Sequence, residues 1–360
     1  MRKRIFAVLL VMLAAFTLSA GFHYGFDIIS FDPVHDVYLA NRNSPNLGFN
    51  YIVDYKGYPD HIWQDGKVYE LKDKFRAKPG MAQVKVGETF SFGRNIFTFD
   101  SFLSPIEWDI LAVQGLVSIV FDGEISDLMG YDGNYFVGTA LSIADRFSLR
   151  FGMSHWCTHY GDAIIKNLQK TDKESFDSNY KYLRNNLTIG ISVEPLSWLR
   201  LYGEYQFLPK GMYLNPKHFR PDHAEHGDEV GWGKSYKASI VELGVELSYP
   251  IWEKLGRTTL AYDLTLYEEG KIIYRDGDEY LKWPSDFRNP KPGEIYYDPK
   301  APWDMEHSIV INQEFNSYFS LELGWHSGRS PLTGLFFITD TQWVHIGMRF
   351  DPDLTCHTVR

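Results

Sequence analysis

Two imidazoles, a thiol, a hydroxyl and a carboxylate stand close together in the stretch His155-Trp156-Cys157-Thr158-His159-Tyr160-Gly161-Asp162. Two chemistries suit that set. A histidine beside a thiol or hydroxyl, its ring oriented by a carboxylate, is a base–nucleophile pair. His155 with Cys157 or Thr158, and His159 or Asp162 in support, would serve acyl transfer in that way. Alternatively His155, His159 and Asp162 would ligate a metal: imidazole and carboxylate suit zinc, whereas calcium needs more oxygens. The same residues also suit a polar rim that hydrogen-bonds loops and headgroups and does no chemistry. His218, His223 and His226, with Asp222, Asp228 and Glu229 nearby, form a weaker zinc-type set. Asp276-Gly277-Asp278-Glu279 resembles a calcium loop only at its start, since the later ligand positions do not follow. Gly-rich phosphate loops and CxxC pairs are absent, so no cofactor is expected beyond a bound calcium or zinc.

The element that must carry the first cluster is a strand. Phe147, Leu149, Phe151 and Met153 alternate with Arg146, Ser148, Arg150, Gly152 and Ser154, the two-residue period of a strand with one apolar face. On that period His155 and Cys157 continue the apolar face, where the strand runs out. The pattern recurs from Leu47 onward and predicts about twelve strands, near 47–55, 81–92, 107–121, 134–144, 146–156, 181–193, 197–208, 236–249, 257–268, 305–315, 318–327 and 341–350. Most approach the roughly 9–11 residues that a tilted membrane strand needs. Tight turns at Ala144-Asp145, Glu194-Pro195-Leu196 and Asn316-Ser317 alternate with long polar segments at 56–80, 157–180, 209–235 and 269–304. Short turns on one side and long loops on the other predict an all-β fold: a transmembrane antiparallel up-and-down β-barrel with periplasmic turns and extracellular loops.

The rest of the chain agrees with a bacterial outer membrane. Arg2-Lys3-Arg4, an apolar run from Ile5 to Leu18 and Ser19-Ala20-Gly21 read as a signal peptide over 1–20. The expected organisation is then a periplasmic segment 21–46, a barrel 47–350 and a tail 351–360. Aromatic residues make up 16% of the chain, and Tyr and Trp gather at membrane–water boundaries. The formal charge of −10 becomes about −13 once the three basic leader residues are removed, which argues against nucleic acid as a partner. Outer-membrane lipid, lipopolysaccharide or an equivalent glycolipid and the barrel-assembly machinery are the expected partners. The topology sets Cys157 and Cys356 at opposite ends of the barrel, beyond the roughly 4.4–6.8 Å Cα separation of a disulfide.

Barrel placement also assigns the charges. Arg150, Arg184, Arg200, Glu204, Glu242, Glu246, Asp263, Glu306, Glu322 and Arg349 share the lumen-facing parity. In lipid each would cost several kcal/mol, and in a polar lumen they are expected. About twelve strands leave an interior that side chains largely fill, so a wide porin is disfavoured and a narrow channel is not. The segment from Phe22 to Asn46 stands ready to cap the periplasmic mouth.

Several pieces resemble the bacterial outer-membrane family known as domain of unknown function 1207: Val86-Gly87-Glu88, the stretch from Arg150 to Asp162, Trp198-Leu199-Arg200-Leu201-Tyr202-Gly203-Glu204-Tyr205, and Leu321 to Gly334 with Gly328-Arg329-Ser330-Pro331. The resemblance implies a barrel and carries no assigned activity. The family's reactive stretch reads histidine, any residue, two serines, histidine, any residue, glycine, aspartate; here Cys157 and Thr158 replace both serines. That core is also similar to outer-membrane phospholipase A, which would make His155 the base and place Cys157 at the nucleophile's position. The expected function is a non-enzymatic barrel, either a narrow small-solute channel or a surface structural or interaction protein. The alternative is a lipid hydrolase of the phospholipase or lipid A deacylase type.

Overall fold

A barrel wall needs every backbone amide partnered and an apolar side chain at every second position, because a bilayer offers no hydrogen bonds. The computed structural model follows this pattern along its wall ladders. It describes residues 21–56, 61–64, 67–70, 79–121, 127–162, 165, 181–207, 239–251, 256–267, 272–276, 279–281, 295–297, 303–328 and 341–350. The expected signal peptide over 1–20, His218, His223, His226, Cys356 and residues 351–360 lie outside the described residues.

The strands are β1 (His23–Ser30), β2 (Leu47–Lys56), β3 (His61–Gln64), β4 (Lys67–Glu70), β5 (Ala82–Thr98), β6 (Ile106–Phe121), β7 (Leu128–Ile143), β8 (Phe147–Tyr160), β9 (Lys181–Leu196), β10 (Leu199–Phe207), β11 (Ile240–Tyr249), β12 (Thr258–Tyr267), β13 (Ile272–Asp276), β14 (Glu279–Leu281), β15 (Ile295–Tyr297), β16 (Asp304–Asn316), β17 (Phe319–Gly328) and β18 (Thr341–Phe350). Twelve of them close a ring in the order β2-β18-β17-β16-β12-β11-β10-β9-β8-β7-β6-β5 and back to β2, every pair antiparallel. The small sheets β3–β4 and β13–β15 sit in segments that read as long loops. The chain is a transmembrane antiparallel β-barrel. Its outward belt includes Leu243, Leu247, Phe151, Met153, Leu201 and Ile346, all exposed, while Glu242, Glu246, Arg150 and Arg200 on the alternate positions are buried inside.

Turn chemistry explains one hairpin directly. Ala144 and Asp145 both take positive φ, 57° and 52°, so β7 and β8 are joined by a left-handed two-residue turn whose twist matches the strands. The β9–β10 turn falls at Ser197-Trp198 rather than at 194–196, because the ladder runs on until Leu196 pairs with Leu199. Three strands also exceed their expected lengths. β5 continues to Thr98, β7 starts at Leu128 and β8 runs to Tyr160. Gly130, Asp132, Gly133 and Asn134 conceal the start of β7, since glycine and small polar residues are poor strand formers. The histidine–cysteine cluster therefore lies within β8, not past its end.

Strand β1 was not expected. Seventeen-residue β5 outreaches β2 toward the periplasmic end, and β1 pairs with that otherwise bare half, from His23 opposite Thr98 to Ser30 opposite Ser91. Residues 31–46 then turn inward. His35, Tyr38 and Ala40 are buried, with Ala40 packed against Ala261 and Val310 of the inner wall. The segment expected to cap the mouth occupies the lumen itself.

Candidate functional site

The outer face of β7, β8 and β9 holds the reactive groups. Register sets His155 of β8 between Tyr135 of β7 and Asn185 of β9. The His155 Nδ1 and Asn185 Oδ1 atoms are 2.6 Å apart. With the Asn185 oxygen facing the ring, Nδ1 is the donor, and the neutral ring then presents its lone pair at Nε2. That is the tautomer a general base requires. The Tyr135 ring leans against the imidazole, centroids 6.1 Å apart.

Cys157 follows on the same outward parity, opposite Gly133. The glycine is needed there: a Cβ would stand 2.8 Å from the Cys157 Sγ and 2.7 Å from the Tyr135 ring. His159 comes two residues further, its ring stacked on Tyr131 at 4.7 Å. Ser154 and Trp156, on the intervening positions, are buried in the interior.

The remaining predicted members are placed differently. Thr158 pairs with Asp132 and Tyr182, one step out of phase with His155 and Cys157, and its side chain lies outside the described residues. Asp162 is exposed two residues beyond β8, about 20 Å from His155 by the rise of an extended chain. Asn185, not Asp162, orients the ring. His155 and His159 are about 13 Å apart along the strand by the same rise, too far for a compact shared metal shell. Among the described residues, no group of three or more His, Cys, Asp or Glu converges on a metal position. Asn185 was missed because its partnership depends on the β8–β9 register, and the twenty residues 161–180 between the two strands hide that register from the sequence.

Inside the barrel, the charges are paired with one another, as burial demands. Arg150 donates through Nε to Glu204 at 2.7 Å, and its other nitrogens reach Glu204 and Gln114. Arg200 bonds Ser192 at 2.7 Å and Glu246 at 3.2 Å. The Tyr202 hydroxyl donates to Asp263 at 2.9 Å, and that of Tyr267 donates to Glu306 at 2.8 Å. Glu322 meets His345 at 3.1 Å, and the His345 ring stacks near His326, which in turn lies 3.8 Å over Trp343. Glu242 and Arg349 are buried in the same interior, while the side chain of Arg184 lies outside the described residues.

The inward segment is bound into this network. Tyr38 stacks on Tyr202, centroids 4.0 Å apart and planes 1° from parallel. The guanidiniums of Arg150 and Arg200 stand 5.3 Å and 5.4 Å from the Tyr38 ring centre. His35 bridges the Tyr38 hydroxyl at 2.8 Å and Ser148 at 2.9 Å. Burial, reinforced by Arg150 and then Arg200, holds the His35 imidazole well below the usual histidine range, so it sits there neutral. Arg200 donates to the carbonyls of Val37 and Asp36, Glu246 accepts from the Leu39 amide at 2.7 Å, and Arg42 reaches Glu306 at 2.8 Å. A small cavity of about 40 Å³ remains on the outer side, bordered by Tyr38, Arg150, Glu204 and Glu242. Two of about 310 Å³ each open on the periplasmic side, both bordered by Asp36, Glu194 and Arg200.

No protein-family model matches the chain, so membership in the family it resembles is not shown. No curated protein matches either. Solved structures do. The NanC porin is 11% identical and aligns over 85% of this chain and 99% of its own, with a TM-score of 0.38. An active-site mutant of outer membrane phospholipase A from Escherichia coli is 8% identical over 89% of this chain and 94% of its own, TM-score 0.46. The outer membrane channel DcaP of Acinetobacter baumannii is 11% identical over 93% of this chain and 99% of its own, TM-score 0.30. At these identities the likeness is one of fold.

Proposed function

We propose that this barrel works from its outer wall, as a thiol-based acyl hydrolase acting on outer-membrane lipid, with phospholipid or lipid A as the substrate class. One observation carries the reading: the 2.6 Å bond from His155 Nδ1 to Asn185 Oδ1, which leaves Nε2 as a base on the face that also bears Cys157. In the proposed cycle Nε2 takes the thiol proton and the thiolate attacks an ester carbonyl. A C–S bond forms, the ester C–O bond breaks, and the imidazolium returns its proton to the departing alcohol. Water, activated by the same nitrogen, then hydrolyses the thioester. Asn185 keeps the ring in its tautomer and aims it. The exposed side chains of Phe151 and Met153, on the same face, would set this chemistry against acyl chains rather than in bulk water.

The purified barrel in mixed micelles should release fatty acid from phospholipid or lipid A, and His155→Ala and Cys157→Ala should each lower release at least 100-fold. Release that persists in Cys157→Ala, or no release with or without calcium, would remove the hydrolase.

A second reading, the narrow small-solute channel, is favoured by the two periplasmic cavities of about 310 Å³ leading toward a charged interior. Planar-bilayer recordings test it, since a channel must give discrete steps. A barrel with neither release nor steps would be left with a structural or surface-interaction role.

A further inference from the structure

We propose that residues 31–46 are a gate, able to leave the lumen while the strands on either side of it stay in the wall. The inference rests on the channel reading and adds its regulation.

Strands β1 and β2 lie along the same edge of β5. β1 covers Ser91 to Thr98, and β2 covers Ala82 to Lys85. They amount to one wall strand interrupted by an insert, and the insert enters the lumen beside the uncovered stretch from Val86 to Phe90. There the chain passes so close that a Cβ on Gly87 would meet the Asn46 amide nitrogen at 3.1 Å. Each flank is zipped to β5 independently, and β2 also pairs with β18 from Leu47 to Lys56. Moving the insert breaks none of these ladders.

The lumen also tolerates its departure. Apart from Ser148, whose bond is to His35, the wall groups named as holding the insert have a second partner in the wall. Arg200 keeps Glu246 and Ser192, Glu306 keeps Tyr267, Tyr202 keeps Asp263, and Arg150 keeps Glu204 and Gln114. Withdrawal therefore leaves Arg150, Arg200 and Glu306 paired in the wall, and Glu242 exchanges its bond to Asn41 for water that enters with the opening. What the insert loses is the Tyr38 stack with its two guanidiniums, the Ala40 packing, the Arg42–Glu306 ion pair and a few hydrogen bonds, of which water replaces the polar part.

The cavities show what would open. Val37 borders both the outer cavity and one of the periplasmic ones, and Asp36 borders both periplasmic ones. The residues from Asp36 to Leu39 stand between the two sides, so their departure joins all three into one passage. Its walls carry Arg150 and Arg200 against Glu204, Glu242 and Glu246, which suits small hydrophilic solutes without a strong single-sign charge.

The experiment compares the wild-type barrel with a Tyr38→Gly/Arg42→Ser double variant in planar bilayers under potassium chloride, folding of both being checked by heat-modifiable gel migration. The gate predicts a mostly silent wild type and discrete steps in the variant at ten-fold or greater frequency. Equal, frequent conductance in both overturns the gate and leaves the channel reading standing. A folded variant as silent as the wild type overturns both. Should the variant fail to fold, hydrogen exchange of the wild type decides. Amides of residues 34–44 should exchange at least 100-fold faster than those of β8 and β9, and equal protection would overturn the gate.

Discussion

His155 and His35 show how a hydrogen bond gives each imidazole its role. The bond that His155 Nδ1 donates to Asn185 leaves Nε2 for the proposed base, so Asn185→Ala should lower lipid hydrolysis by about 10–100-fold, chiefly in kcat, and leave barrel folding intact. Rates on a soluble ester and on micellar lipid would check this, and an unchanged kcat would remove Asn185 from the site. His35 is a different case, being buried and neutral with its pKa lowered in the docked segment. Released, it returns to the ordinary value of about 6.5. The docked state is thus favoured fully above that pH and loses ground as pH falls below it, because the released histidine takes up a proton that the docked one resists. Exchange of amides 34–44 should accelerate between pH 7.5 and 5.5 after correction for intrinsic rates. His35→Asn should abolish that dependence. A wild-type pH response that survives in His35→Asn would assign it to another group.

At the scale of the strand, alternation made the faces legible. Leu243 is exposed and Glu242 buried, as their positions in β11 demand. Leu243→Lys should therefore cost about 2–4 kcal/mol and impair assembly, measurable by refolding titration into bilayers. No loss there would mean that β11 is turned the other way. Close packing was less legible. The Tyr202 ring lies across Gly244, where an added Cβ would fall 2.0 Å from the ring, and this flat seat lets Tyr38 stack on the other side. Gly244→Val should displace Tyr202 and loosen residues 31–46, seen as lost exchange protection there with β8 unaffected. What the sequence concealed was relational. Glycines and small polar residues hid the start of β7, and the pairing of His155 with Asn185 depends on a register set across a long loop. The path of 31–46 was hidden too, since that stretch has no period and its burial comes from partners distant in the chain.

For the molecule as a whole, the wall is closed, the interior is charged and largely paired, and the chain's own segment occupies its middle. The proposed chemistry therefore belongs on the outside, where one oriented histidine and one thiol share a strand face. The most direct test is to incubate the barrel with a short-chain ester, quench in acid, and map adducts by mass spectrometry. The account predicts an acyl group on Cys157, absent from His155→Ala and cleaved by hydroxylamine. Turnover of the ester at an undiminished rate in Cys157→Ala, with no acyl adduct on Cys157 in the wild type, would contradict it.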